Sequence, residues 1–158
     1  MNTVDSVAII GAGNMGSGIA QKSAQEQFNV QMVDREEKWV NRGEKIISDF
    51  LEEAIERRIF RSDQVESIKN RITGVVGTEN VAPDTDLVIE AVFEDFDIKT
   101  AVFRTLDEVC DEKTILASNT SSLSVNELAK ATGRPDRFVG LHFFYHPAKN
   151  RLIEIIQI

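Results

Sequence analysis

The stretch Val7-Ala8-Ile9-Ile10-Gly11-Ala12-Gly13-Asn14-Met15-Gly16-Ser17-Gly18-Ile19-Ala20 decides the fold. A short apolar run breaks into glycines and then resumes with helical spacing, which reads as strand, tight turn and helix. Gly11, Gly13 and Gly16 fit the pattern G-x-G-x-x-G. The first permits the sharp turn, the second lets a pyrophosphate approach the backbone, and the third lets the helix pack closely. The new helix opens with unpaired N–H groups and a positive dipole end, an arrangement suited to phosphate. The pattern alone is unspecific. It gains weight when the next strand ends in an acid about 20 residues further on. Asn29–Val33 is that strand, and Asp34 is the acid.

Two readings of Asp34 stand. It can accept hydrogen bonds from an adenosine ribose, which favours NAD over NADP because a carboxylate repels a 2′-phosphate. It can also cap the helix that begins in Asp-Arg-Glu-Glu. Arg35 tempers the NAD preference, since a neighbouring arginine can serve a 2′-phosphate.

The chain has 158 residues, 42% hydrophobic and 28% charged, which suits one globular domain. No apolar run approaches the length of a membrane span. The N-terminus has no basic region and no apolar signal core. One cysteine, Cys110, fits a cytoplasmic setting. Cys110 lies at a helix end in an acidic stretch, where nothing activates its thiol. Two histidines and one cysteine make no credible metal site. A net charge of −8 argues against nonspecific nucleic-acid binding.

Strands are expected at 4–10, 29–33, 71–76, 87–92, 114–118, 137–144 and 152–158, with helices at about 16–27, 96–109 and 124–131. In the helix at 96–109, Ile98, Val102, Phe103, Leu106 and Val109 form the apolar face and Lys99 lies off it. A helical hairpin over about 36–70 interrupts the alternation. Val40, Gly43, Ile47, Leu51 and Ala54 recur at helical spacing in its first arm, and Ser62 opens its second. The pattern implies an α/β fold of Rossmann type: a doubly wound, mainly parallel sheet with an inserted helical hairpin. Arg57, Arg58 and Arg61 cluster at the hairpin tip, either as a solvated helix end or as a site for an anionic ligand tail. The chain stops at Ile158 inside an apolar strand pattern, so a second domain is expected to follow a 1–158 cofactor-binding domain.

Near the end of a strand stands His142, and Glu154 lies in the last strand on the face of Leu152 and Ile156. A carboxylate on an apolar face is costly unless paired. A His–Glu pair would account for both placements and fix the imidazole tautomer for proton transfer. The alternatives are a hydrogen-bonded core histidine and a solvent-facing edge glutamate. His146 is a competing histidine in a loop. Ser118-Asn119-Thr120-Ser121-Ser122 offers donors at a strand end, or caps for the next helix by Ser122 or Ser124. No G-x-S-x-G accompanies them, so a nucleophilic serine is not expected.

These segments together resemble the NAD-binding domain of L-3-hydroxyacyl-CoA dehydrogenases. The resemblance rests on Gly11–Gly16, Asp34, Glu90-Ala91-Val92-Phe93-Glu94, Ser118–Leu123, Arg137–Phe144 and Leu152-Ile153-Glu154, in family order over nearly the whole chain. It implies an oxidoreductase of the fatty-acid β-oxidation type that passes a hydride from an L-3-hydroxyacyl-CoA to NAD and leaves a 3-ketoacyl-CoA. His142 looks like the catalytic base, Glu154 its charge partner, Ser121 a hydroxyl touching substrate and cofactor, and Asn119 a lesser contributor. Gly11, Gly13, Asn14, Met15, Gly16, Asp34, Arg35, Ala91, Val92, Glu94, Lys99 and Asn119 would contact NAD, with Glu94 and Lys99 lining the ribose and nicotinamide side. Ser121, Arg57 and Arg58 would contact the acyl-CoA.

The family also has a helical C-terminal domain with dimer contacts, so the longer parent is expected to be a homodimer. The fragment alone is expected to bind NAD and to turn over weakly or not at all. One departure is that Tyr145-His146-Pro147 stands where the family commonly has Asn-Pro, which bears on the nicotinamide side. Competing functions are a dehydrogenase of a non-CoA hydroxy acid and a catalytically silent NAD-binding sensor.

Overall fold

Seven strands form one sheet in the order β3-β2-β1-β4-β5-β6-β7 in the computed structural model, which describes residues 4–158. The strands are β1 (Ser6–Ile10), β2 (Asn29–Asp34), β3 (Ile72–Val76), β4 (Leu87–Glu90), β5 (Ile115–Ser118), β6 (Phe138–Phe143) and β7 (Ile153–Ile156). The first six are parallel, and only β7 runs antiparallel, beside β6. This is the doubly wound order, with the reversal between β1 and β4. The residues at 1–3 of the expected N-terminal domain lie outside the described part.

Helices cover both faces. On one side α1 (Asn14–Gln25), α2 (Glu37–Glu56) and α3 (Ser62–Asn70) pack through Ile19, Ile47, Leu51, Val65 and Ile68 against Val7, Ile9, Val30 and Met32. On the other, α4 (Phe96–Val109) and α5 (Val125–Ala129) bring Phe103, Leu106 and Leu128 onto Ala8, Ile10, Val88 and Leu116. Central parallel strands are covered on both faces, so their sequences are continuous apolar runs.

Helix boundaries differ from the expected ones for local reasons. Helix α1 starts at Asn14, directly out of the turn. It ends because Gln27 takes a left-handed φ of 75°, and Phe28 N–H returns to the Ser23 carbonyl. Arg58, at φ 58°, ends α2 in the same way, with Ile59 N–H on the Ala54 carbonyl. Ser62 does not cap α3. Arg61 precedes the helix, and the Gln64 side chain accepts its N–H at 2.9 Å.

Two strand-face and helix-face expectations fail. Lys99 lies on the buried face of α4, at 1% exposure, while Ile98 is 46% exposed. The reason is polar: a partner waits for the ammonium inside the fold. Glu154 does not sit on a buried apolar face either. Strand β7 is an edge, and the Glu154 side chain is 58% exposed.

Candidate active site

The glycine turn is shaped by close contacts. Gly11 has φ +103°, and a Cβ there would meet the Ala91 carbonyl oxygen at 2.7 Å. A Cβ at Gly16 would overlap the Gly11 carbonyl, so this glycine lets the helix close on the turn itself. Nothing lies within 4 Å of the Cβ position of Gly13, and no side chain caps α1. An open backbone surface therefore faces outward at a helix N-terminus, with Asn14 and Met15 in its first turn. These features fit a pyrophosphate-bearing ligand.

Asp34 ties this turn to the end of β2. One carboxylate oxygen accepts the Ala12 N–H at 2.8 Å and the other accepts the Arg35 N–H at 2.8 Å. Asp34 is not the cap of α2, because Glu36 holds the position before that helix. Glu36 also pairs with Arg35 at 3.6 Å and Lys38 at 2.8 Å. Arg35 and Lys38 are thus both matched by the Glu36 carboxylate.

A cleft of about 360 Å³ opens at the carboxyl ends of β4, β5 and β6. It gathers Met15, Ala91, Val92, Glu94, Lys99, Asn119, Ser121 and His142 with Phe143, Phe144 and Tyr145. His142 and Glu154 are directly opposed across the β6–β7 ladder. The His142 Nδ1 lies 3.2 Å from Glu154 Oε2. In a neutral ring whose Nδ1–H donates to this carboxylate, Nε2 is an acceptor.

The polar turn after β5 is held from both sides. Asn119 accepts the Phe143 N–H on its side-chain oxygen at 2.8 Å, so its NH2 group remains to donate. Glu94 Oε1 accepts the Thr120 hydroxyl, the Ser121 N–H at 3.2 Å and the Ser122 hydroxyl at 3.0 Å. The Ser121 hydroxyl is exposed at the cleft. Burial works to raise the Glu94 carboxyl, but Thr120, Lys99 and Ser122 outweigh it and bring it down to about 2. Of the two capping serines considered, Ser124 caps α5, accepting the Glu127 N–H at 3.3 Å.

Beneath the turn lies a group that the sequence motif contains but whose part was not anticipated. Glu90 is fully buried and binds Lys99 at 2.6 Å, the Val92 N–H at 2.7 Å and the Ser118 hydroxyl at 2.7 Å. The available signal was an acid closing the apolar run Leu87-Val88-Ile89 on a central strand.

His146 stays outside the cleft. Its ring stacks on Phe50 of α2 at 4.9 Å, and its Nδ1 accepts the Ala148 N–H at 3.2 Å. Burial, aided by Lys149, holds its pKa below the ordinary histidine value. Arg57 and Arg58 also lie outside the cleft. Arg57 pairs with Glu53 at 2.6 Å. It stands two helical turns, about 10 Å, beyond Phe50 along α2. Cys110 is buried, and burial pushes its thiol up to about 11. No group of three metal-binding side chains occurs among the described residues, and no helix there is long and apolar enough to cross a membrane.

Comparison with known proteins gives the family of the chain. The family model described as "3-hydroxyacyl-CoA dehydrogenase, NAD binding domain" matches residues 6–158. A probable 3-hydroxybutyryl-CoA dehydrogenase of Bacillus subtilis is 40% identical over 154 residues, covering 98% of this chain and 53% of the relative. The mitochondrial hydroxyacyl-coenzyme A dehydrogenase of Sus scrofa is 37% identical, with 98% and 51% covered. The crystal structure of (S)-3-hydroxybutyryl-CoA dehydrogenase from Ralstonia eutropha superposes with a TM-score of 0.93 at 37% identity, covering 97% of this chain and 54% of that one. The chain spans about half the length of the curated relatives it matches.

Proposed function

The chain belongs to the family of 3-hydroxyacyl-CoA dehydrogenase NAD-binding domains, and from that premise we propose that it is the cofactor-binding part of an enzyme oxidising an L-3-hydroxyacyl-CoA to the 3-ketoacyl-CoA. The observation that carries the reading is the His142–Glu154 contact at 3.2 Å, at the same cleft as Ser121 and Asn119. When bound, NAD supplies the carbon that accepts the hydride.

The glycine turn and the start of α1 hold the pyrophosphate of NAD, Asp34 receives the adenosine ribose, and Glu94 and Lys99 face the nicotinamide side. His142 takes the substrate hydroxyl proton on Nε2. Glu154 keeps Nδ1 protonated, so the ring presents the correct face and the new positive charge has a partner. The Ser121 hydroxyl and the free Asn119 NH2 group orient the substrate oxygen. Arg57 and Arg58 receive the anionic CoA portion along α2. In the longer protein a helical second domain closes over the cleft and supplies the homodimer contacts. A cytoplasmic location fits a chain whose single cysteine has no partner for an internal disulfide.

The test is NADH consumption with acetoacetyl-CoA by the longer protein. His142→Gln is expected to lower kcat by about 100-fold or more. Equal rates in wild type and variant remove His142 from proton transfer.

A further inference from the structure

The cleft floor carries a charge arrangement that proton transfer does not use. Lys99 Nζ donates to Glu90 at 2.6 Å and lies 3.1 Å from Glu94. Glu90 receives three donors and gives none, as an ionised carboxylate does. Glu94 accepts two hydroxyls and an N–H on its other oxygen. Two carboxylates thus share one ammonium, and Lys99 is the one lysine or arginine among the cleft's lining residues. Glu154 adds negative charge at the rim behind His142. The dipole of α1 points at the glycine turn, and it acts on phosphates common to both forms of the cofactor.

The two forms of the nicotinamide ring differ in charge far more than in shape. The oxidised ring is a cation, and the reduced ring is neutral. If His142 takes the hydroxyl proton, the ring must lie beside the same carbon to take its hydride. That places it in this cleft, next to Glu94.

We propose that the Glu90–Lys99–Glu94 network makes the cleft bind oxidised NAD more tightly than NADH, through its excess negative charge. The inference rests on the NAD reading above and extends it. Glu90 acts as a positioning residue: it holds the ammonium deep in the fold and leaves part of the Glu94 charge unmatched at the surface. Linkage then requires that the bound cofactor give up its hydride more readily by the same factor. The domain would therefore favour ketone reduction more than free NADH does.

The experiment titrates the 158-residue chain with NAD+ and with NADH at fixed ionic strength. Glu90→Gln keeps the shape of the side chain and removes one negative charge. Loss of one unit charge from a cleft with solvent at its open mouth, at an effective dielectric of about 20, corresponds to about tenfold. The ratio of the NADH dissociation constant to the NAD+ constant is expected to fall by that amount. Glu94→Gln removes the same charge from a side chain that is 37% exposed, so it keeps the test open if the Glu90 variant does not fold. It should move the ratio in the same direction. A purely structural role would weaken both ligands alike, and an unchanged ratio with both still bound overturns the proposal alone. Failure of the wild-type chain to bind either form overturns the NAD reading and the proposal with it.

Discussion

At the β1–α1 turn the chain shapes its binding surface with backbone, whereas at the β6–β7 edge it does so with side chains. The turn sits where buried parallel strands reverse their order, and a Cβ at Gly11 or Gly16 would run into main-chain carbonyl oxygens. The edge depends on an antiparallel register that puts His142 opposite Glu154, with the glutamate side chain more than half exposed. Backbone geometry of the first kind is part of the fold and cannot be altered without disturbing the fold. A side-chain pair of the second kind contributes little to stability and is free to be specialised for chemistry. The Glu90–Lys99–Glu94 network stands between the two and joins the β4 loop to the serine turn.

The contrast is broken most directly at Gly16. Gly16→Ala is expected to destabilise the domain by about 3 kcal/mol or more, because the added methyl overlaps a backbone oxygen that has no flexible route away. Near-normal urea unfolding of that variant would show the turn to be pliable.

A smaller effect is expected at the joining network in acid. The Glu94 pKa is depressed from 4.5 to about 2, so its contribution is complete above about pH 4.5 and is lost as pH falls toward 2. The stability gap between wild type and Glu94→Gln should therefore narrow across that window in pH-dependent unfolding. A constant gap would mean that the carboxylate charge is not what holds the serine turn.

The smallest stability change is expected at the edge. Glu154→Ala should cost less than about 1 kcal/mol in thermal unfolding, as exposed ion pairs do. The same variant should lower kcat of the proposed dehydrogenase reaction measurably. A loss of several kcal/mol would place this pair in the fold's own framework and erase the contrast.

Most of the fold was legible because its two signals are local. Glycines at Gly11, Gly13 and Gly16 follow an apolar run, and the helical hairpin shows its period in Val40, Ile47, Leu51 and Ala54. The partnership of His142 and Glu154 was legible through strand periodicity, although the supposed burial of Glu154 was not correct. Its partner is decided by register, and its exposure by the edge position of β7. Lys99 was misplaced because helix periodicity ranks side chains by polarity, and a buried carboxylate contributed by another element reverses that ranking. Glu90 and the Phe50–His146 stack depend on contacts between separate elements: Glu90 meets Lys99 of α4 and Ser118 of β5, and His146 meets Phe50 of α2. Spacing alone carries no record of such contacts.

The β6–β7 hairpin has a further consequence for how this part of the chain can change. The loop between the strands folds back on itself through Lys149 and Asn150 N–H groups on the His146 carbonyl, and the Asn150 side chain accepts the Leu152 N–H at 3.0 Å. Its residue count fixes which side chain stands opposite His142. Substitutions within the loop leave that alignment untouched. A single-residue insertion or deletion absorbed by shifting β7 would bring Ile153 or Ile155 opposite the imidazole instead of Glu154. The loop can therefore drift in spelling while its length is held, and an indel scan across 145–151 should be far less permissive than a substitution scan.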